Sequence, residues 1–311
     1  RDDIYVMPCG SSVGISLWCN GVLVVGLGNV DDGIRRRCPA HEAGIRTGDA
    51  IIAVNGERVN GVGELSAMVK SAGDSMRLRV RRNGSEFDCT VYPCVKDGEV
   101  LLGAWVREST AGIGTLTFYT MSSMRFGALG HAVTDPDAGT MIEAKRGELS
   151  EASIVGVTHG EQGFPGEVRG TFSAVSKRLG AIDRNTRYGV FGEMYAPLTS
   201  ALYPEGVALA YPDEVETGKA TLLTSLEDGV TTEYECEIIK LFEQSTSDGK
   251  GMVVKVTDKR LLEHTGGIVQ GMSGSPILQN GKLVGAVTHV FINDPTKGYD
   301  IYAYWMYEQM R

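Results

Sequence analysis

Short apolar runs broken by glycine-rich or polar turns recur along the whole chain, and few have the spacing of a helix. From residue 113 onward, strand-like runs fall at 115–120, 140–144, 153–157, 168–172, 207–211, 218–224, 234–239 and 251–256. Asn-Gly pairs at 55–56, 83–84 and 280–281 lie between apolar runs and read as type I′ hairpin turns. Helical spacing is confined to 64–72, with apolar residues at 65, 68, 69 and 72, and to a short helix over 39–43 stopped by Gly44. Regular short strands with glycine-rich turns predict a mainly β chain built from barrels. No apolar run reaches the roughly 18 residues that a membrane helix requires.

Composition narrows the function classes. The 311 residues suffice for two domains, and 41 glycines with few aromatics suit all-β architecture. A formal charge of −9 argues against nucleic acid as the main partner, because no basic excess is available for phosphate. Five histidines and no cysteine pair at zinc-ligand spacing predict neither a metal nor another cofactor. The six cysteines (9, 19, 38, 89, 94 and 236) are compatible with reduced thiols or with a disulfide pair in an exported protein. The chain starts at Arg1 rather than methionine, as expected of a processed or truncated form, so a missing signal or anchor leaves its address open.

Residues 38–59 have physical roles that fit together: the 39–43 helix, its Gly44 cap, a Gly48-Asp49 turn, the strand 50–54 and the Asn55-Gly56 hairpin. With the helix at 64–72 and a closing hairpin of 76–82 and 86–92 around Asn83-Gly84, the stretch resembles a PDZ domain. Such domains bind an extended peptide by strand addition beside a helix. The resemblance puts the carboxylate-receiving loop at Val13, Gly14, Ile15 and Ser16, although the sequence departs there from the usual Gly-Leu-Gly-Phe. Packing without a ligand is the competing role. Domain bounds of 1–95 for this unit, a connection over 96–112 and a second domain over 113–311 follow, with Trp105 in the connection expected to pack between domains.

Ser273 stands in Gly-Met-Ser-Gly-Ser-Pro at 271–276, a tight turn between apolar runs. A serine there can project its hydroxyl beside reachable backbone N–H groups, which acyl transfer needs. The turn, strand and Asn280-Gly281 hairpin resemble the second barrel of chymotrypsin-like serine peptidases. Chain order excludes an α/β-hydrolase, since no acid lies between Ser273 and His289, the only later histidine. Base and acid therefore precede the serine. His41, His159 and His264 read as surface or turn residues, and His289 follows Thr288 on the strand after the hairpin. His131, in a glycine-flanked turn at the end of an apolar segment, has the best local setting for the base. Spacing leaves Asp135 and Asp258 both open as its acid.

Residues 126–135, 163–172, 185–192 and 267–295 together resemble the stage IV sporulation protein B serine peptidases of endospore-forming bacteria. That resemblance implies a PDZ domain followed by a chymotrypsin-like double β-barrel, and a triad carried by His131, Asp258 and Ser273. It implies an oxyanion hole from the N–H groups of Gly271 and Ser273, with Thr288 supporting the triad carboxylate; Asp135, if not the acid, reads as a turn or strand-end cap. It also implies an exported, membrane-anchored endopeptidase between the forespore membranes that trims itself and cleaves a membrane-associated regulator. The PDZ ligand would be a peptide of the enzyme itself or of a partner. The competing function class is a PDZ scaffold whose peptidase-like domain is inert.

Overall fold

A computed structural model describes residues 3–199, 202–244 and 246–311. About half of it (53%) is strand and 10% helix, so the mainly β expectation holds. The chain divides into two compact units, and neither is continuous in sequence. The larger gathers the residues up to Ser16 with Ala111–Val133 and Arg146–Arg311; the smaller takes Leu17–Thr110 and Thr134–Lys145. This differs from simple bounds at 95 and 113. The strand Tyr5–Pro8 pairs with Phe118 and Tyr119 and with Val207 and Ala208, all of the larger unit. The supposed connection also holds the start of one 16-residue strand, Ala104–Tyr119.

The smaller unit is the PDZ domain. Its helix Val62–Ser71 buries Leu65 and Val69 against strands Ala50–Val54 and Met76–Arg82, as the apolar spacing predicts. The hairpins turn at Asn55 (φ 49°) and Gly56 (φ 87°), and at Asn83 (φ 49°) and Gly84 (φ 79°), the left-handed pair a type I′ turn needs. Asp49 is fully buried and is held by Arg82 Nε at 2.7 Å and Nη2 at 2.6 Å and by the Arg46 N–H at 2.8 Å. Trp105 lies over Gly26 and Gly28 within this unit, where a Cβ on Gly28 would fall 2.4 Å from the indole. Residues 140–144 belong to this unit too and form no strand of their own: Met141 makes the single bridge Thr134↔Met141, and Ala144 only opens the strand Ala144–Glu151.

Within the larger unit, antiparallel pairing runs from Ala104–Tyr119 through Arg125–Ala128, Gly189–Met194 and Arg178–Thr186 to Ala144–Glu151. The second half is a closed antiparallel ring. Gly218–Glu227 pairs with Val230–Leu241, then Met252–Val256, Asp294–Tyr302, Lys282–Phe291 and Pro276–Gln279, which returns to Gly218–Glu227. Closure removes free edges, and alternate residues (Leu222, Ile238, Val254, Ile277 and Val287 among them) fill the interior. Among the described residues the six cysteines are all free thiols, and no helix is long and apolar enough to cross a membrane.

Candidate active site

The helix Lys259–Thr265 delivers the chain to the serine turn. It ends at Gly266 in the left-handed conformation (φ 77°), whose N–H bonds the Leu262 carbonyl at 2.9 Å. Gly274 (φ 95°) must be glycine for two reasons: the backbone is left-handed, and a Cβ would sit 2.3 Å from the Thr115 carbonyl oxygen. Between them Ser273 presents its hydroxyl, which donates to the Thr288 carbonyl at 3.0 Å. The N–H groups of Gly271 and Ser273 bond nothing among the described residues, whereas those of Met272, Gly274 and Ser275 are all taken. Two unpaired donors thus flank the hydroxyl, as an oxyanion hole demands.

His131 is tied to that turn through Thr115. The Thr115 N–H bonds the Ser273 carbonyl at 3.0 Å, its Oγ1 donates to Gly271 at 2.8 Å, and its carbonyl accepts from Leu129 at 3.2 Å. Leu129 and Gly130 are both left-handed (φ 70° and 72°), which swings the chain sharply into His131. A Cβ at Gly130 would lie 3.0 Å from the Thr288 methyl, so the base segment packs on the strand that holds the serine hydroxyl. Asn185 grips the following peptide at both polar atoms, accepting from the Val133 N–H at 2.9 Å and donating to its carbonyl at 2.8 Å. The His131 Nδ1 bonds the Ala132 carbonyl at 2.8 Å. A carbonyl can only accept, so Nδ1 carries the proton and Nε2 keeps its lone pair. Burial pushes the imidazole below its ordinary pKa, which leaves it neutral at pH 7.

Among the described residues His131 bonds neither Ser273 nor any carboxylate. Asp258 is the N-cap of Lys259–Thr265 instead: its Oδ1 accepts from the Arg260 N–H at 2.9 Å and its Oδ2 from the Glu235 N–H at 3.1 Å. The Arg260 guanidinium binds both oxygens, at 3.1 and 2.7 Å. Arg260 first, then these N–H groups, holds the carboxyl down to about 2. The two side chains are carried by different elements. Asp258 lies two residues past the end of the strand Met252–Val256, beside Glu235, whereas His131 lies beside His289 on the strand Lys282–Phe291.

Two further expectations need correction, and a third is met. The Thr288 hydroxyl donates to the Tyr299 carbonyl at 2.9 Å rather than supporting a carboxylate; its backbone carbonyl is what touches Ser273. Val13, Gly14, Ile15 and Ser16 form no ligand loop. They lie within the strand Ser12–Leu27 and belong to the larger unit, with Val13 and Ile15 buried and Gly14 against the Phe172 ring. Asp135 has the turn-cap role: Arg107 pairs with it, and its Oδ1 accepts from the Asp137 and Ala138 N–H groups at 2.9 and 2.8 Å. Sequence reasoning passed over His289, whose ring centroid is 4.9 Å from that of His131. Its place directly after Thr288, on the strand facing the serine turn, was the available signal.

A model of the SpoIVB peptidase S55 family matches residues 98–307, about two thirds of the chain. The chain belongs to that family. A PDZ-domain model matches residues 30–82 of the smaller unit. Shorter likenesses reach two curated proteins. A putative zinc metalloprotease, mll0638 of Mesorhizobium japonicum, is 32% identical over 76 residues (24% of this chain, 21% of that protein). Zinc metalloprotease RasP of Geobacillus kaustophilus is 29% identical over 122 residues (30% and 29%). The chain thus spans less than a third of either relative. The active form of the Rv3671c protease of M. tuberculosis aligns at 15% identity and a TM-score of 0.35, covering 64% of this chain and 73% of that one.

Proposed function

We propose that Ser273 attacks the peptide carbonyl and that His131 is its general base, in an endopeptidase acting on a protein substrate. The unpaired N–H groups of Gly271 and Ser273 on either side of the hydroxyl carry this reading. The Ser273 proton passes from Oγ to Nε2 of His131 while Nδ1–H stays on the Ala132 carbonyl. The tetrahedral oxyanion is then held by the two free donors, and the imidazolium returns its proton to the leaving amine. Water, deprotonated by the same Nε2, hydrolyses the acyl-enzyme and frees Ser273. Donating to Nε2 requires the hydroxyl to leave the Thr288 carbonyl.

The substrate we infer is a membrane-associated regulatory protein of sporulation, with self-trimming as a second event. We place the native enzyme in the space between the forespore membranes, anchored through a segment outside the chain described. The PDZ domain would select a peptide from the enzyme or its partner. An active-serine phosphonate probe should label Ser273, and Ser273→Ala should lose labelling, peptide cleavage and self-trimming without losing the fold. An unlabelled wild type that still binds peptides through the PDZ domain would make the protein a scaffold instead.

A further inference from the structure

We propose that His289 is a positioning residue for the base: its ring braces the His131 imidazole, doing by ring packing part of what a carboxylate does by hydrogen bonding. The proposal rests on Ser273 and His131 acting as above. The two ring centroids are 4.9 Å apart and their planes are tilted by 34°. His131 has one side-chain hydrogen bond, to the carbonyl of its own neighbour, and none to an acid. A single bond at Nδ1 fixes the tautomer but leaves the ring free to swing about the axis through that bond. Contact with a second ring from another strand removes that freedom.

The brace comes from the right element. His289 follows Thr288 on the strand Lys282–Phe291, so adjacent residues hold the nucleophile's hydroxyl and the base's ring. Cross-strand pairing with Tyr299 fixes the position of His289, and its own nitrogens bond nothing among the described residues. The charged and titratable groups around it are His131, Lys250 and Tyr299, with the Lys250 ammonium 4.5 Å from the Tyr299 ring centroid. Burial, then His131 and Lys250, pushes the His289 pKa down to about 4. Near neutral pH it is therefore an uncharged ring that packs on the His131 imidazole and keeps water from it.

The test compares wild type with His289→Ala and His289→Phe in kcat, KM and the pH profile of kcat/KM on one peptide. His289→Ala should lower kcat about tenfold, leave KM within about twofold, and move the acid limb to higher pH as water reaches His131. Phenylalanine, which keeps a ring without a titrating nitrogen, should restore both the rate and the limb. An unchanged His289→Ala enzyme, a rate loss without movement of the limb, or a Phe variant as impaired as Ala would overturn the proposal. Probe labelling of Ser273 in the same samples separates the two readings. An unlabelled wild type sinks the Ser273 mechanism, whereas a labelled wild type with an indifferent His289→Ala sinks the brace alone.

Discussion

Replacing Asp258 by asparagine separates a triad acid from a helix cap. An acid that orients the base costs about 10⁴-fold in turnover when it becomes an amide, with the fold intact. The structure predicts a different outcome. Asparagine caps as well as aspartate, so the bond from the Arg260 N–H to the side-chain oxygen survives. Lost are the ion pair with Arg260, whose side chain is 64% exposed, and the acceptor for the Glu235 N–H. An exposed pair contributes about 0.2–1 kcal/mol and a backbone bond to a charged acceptor about 1.5 kcal/mol, so the loss is roughly 2 kcal/mol of stability. Turnover should fall only a few-fold. The pH dependence follows from the depressed pKa. In the wild type this stabilisation is complete above the unfolded value near 4 and is lost as pH falls towards about 2; the asparagine variant should lack that acid-side loss. Urea midpoints in a Ser273→Ala background, which prevents self-digestion, give the stability; initial rates on one peptide give the turnover. A 10⁴-fold loss of turnover at unchanged stability would refute this account and return Asp258 to the triad.

Two other perturbations test the cores. Asp300 is completely buried in the closed barrel, opposite Val287 and Met252, and neither carboxyl oxygen has a partner among the described residues; burial raises its pKa well above the ordinary value. The folded state thus holds a proton the unfolded chain releases, and stability should fall by about 1.4 kcal/mol per pH unit above pH 4, up to the folded pKa. Asp300→Val should abolish that slope and raise the urea midpoint at pH 7, and an unchanged slope would exclude this residue as its source. In the PDZ domain, Arg82→Ala strands the buried Asp49 carboxylate and should cost about 3–5 kcal/mol, read as early loss of that domain's amide protection in hydrogen exchange; protection equal to wild type would contradict it.

What the sequence made legible was whatever depends on neighbours along the chain. The Asn-Gly hairpins, the 64–72 helix and the serine turn are set by local backbone preference, and all three stand where the pattern predicts. The strands Arg125–Ala128, Arg178–Thr186 and Gly189–Met194 escaped notice because they carry polar and glycine residues that read as turns, yet they pair at long range. Position across the barrel was illegible in the same way. Fifteen residues separate Asp258 from Ser273, but the carboxylate is spent on Arg260 and Glu235 while the hydroxyl meets Thr288, partners that no local signal reveals. The ligand loop was misplaced by the same blindness: Val13–Ser16 has small and apolar residues, and only the tertiary pairing of residues 5–8 shows that this segment serves the peptidase unit.

How the site reaches its working geometry follows from comparing two rearrangements. Turning the Ser273 hydroxyl from the Thr288 carbonyl towards His131 breaks one neutral hydrogen bond, about 1 kcal/mol, which a bound substrate can offset. Catalytic hydrogen bonds often tighten only when substrate arrives. Bringing Asp258 to the base instead means giving up the helix cap, the two-pronged Arg260 pair and the Glu235 contact. It also means uncapping the helix Lys259–Thr265, which leads through the Gly266 cap to the serine turn. Delivering the acid therefore breaks more contacts than turning the hydroxyl does. The arrangement that keeps all of these contacts is the one with Nδ1 held by the Ala132 carbonyl and the ring braced by His289.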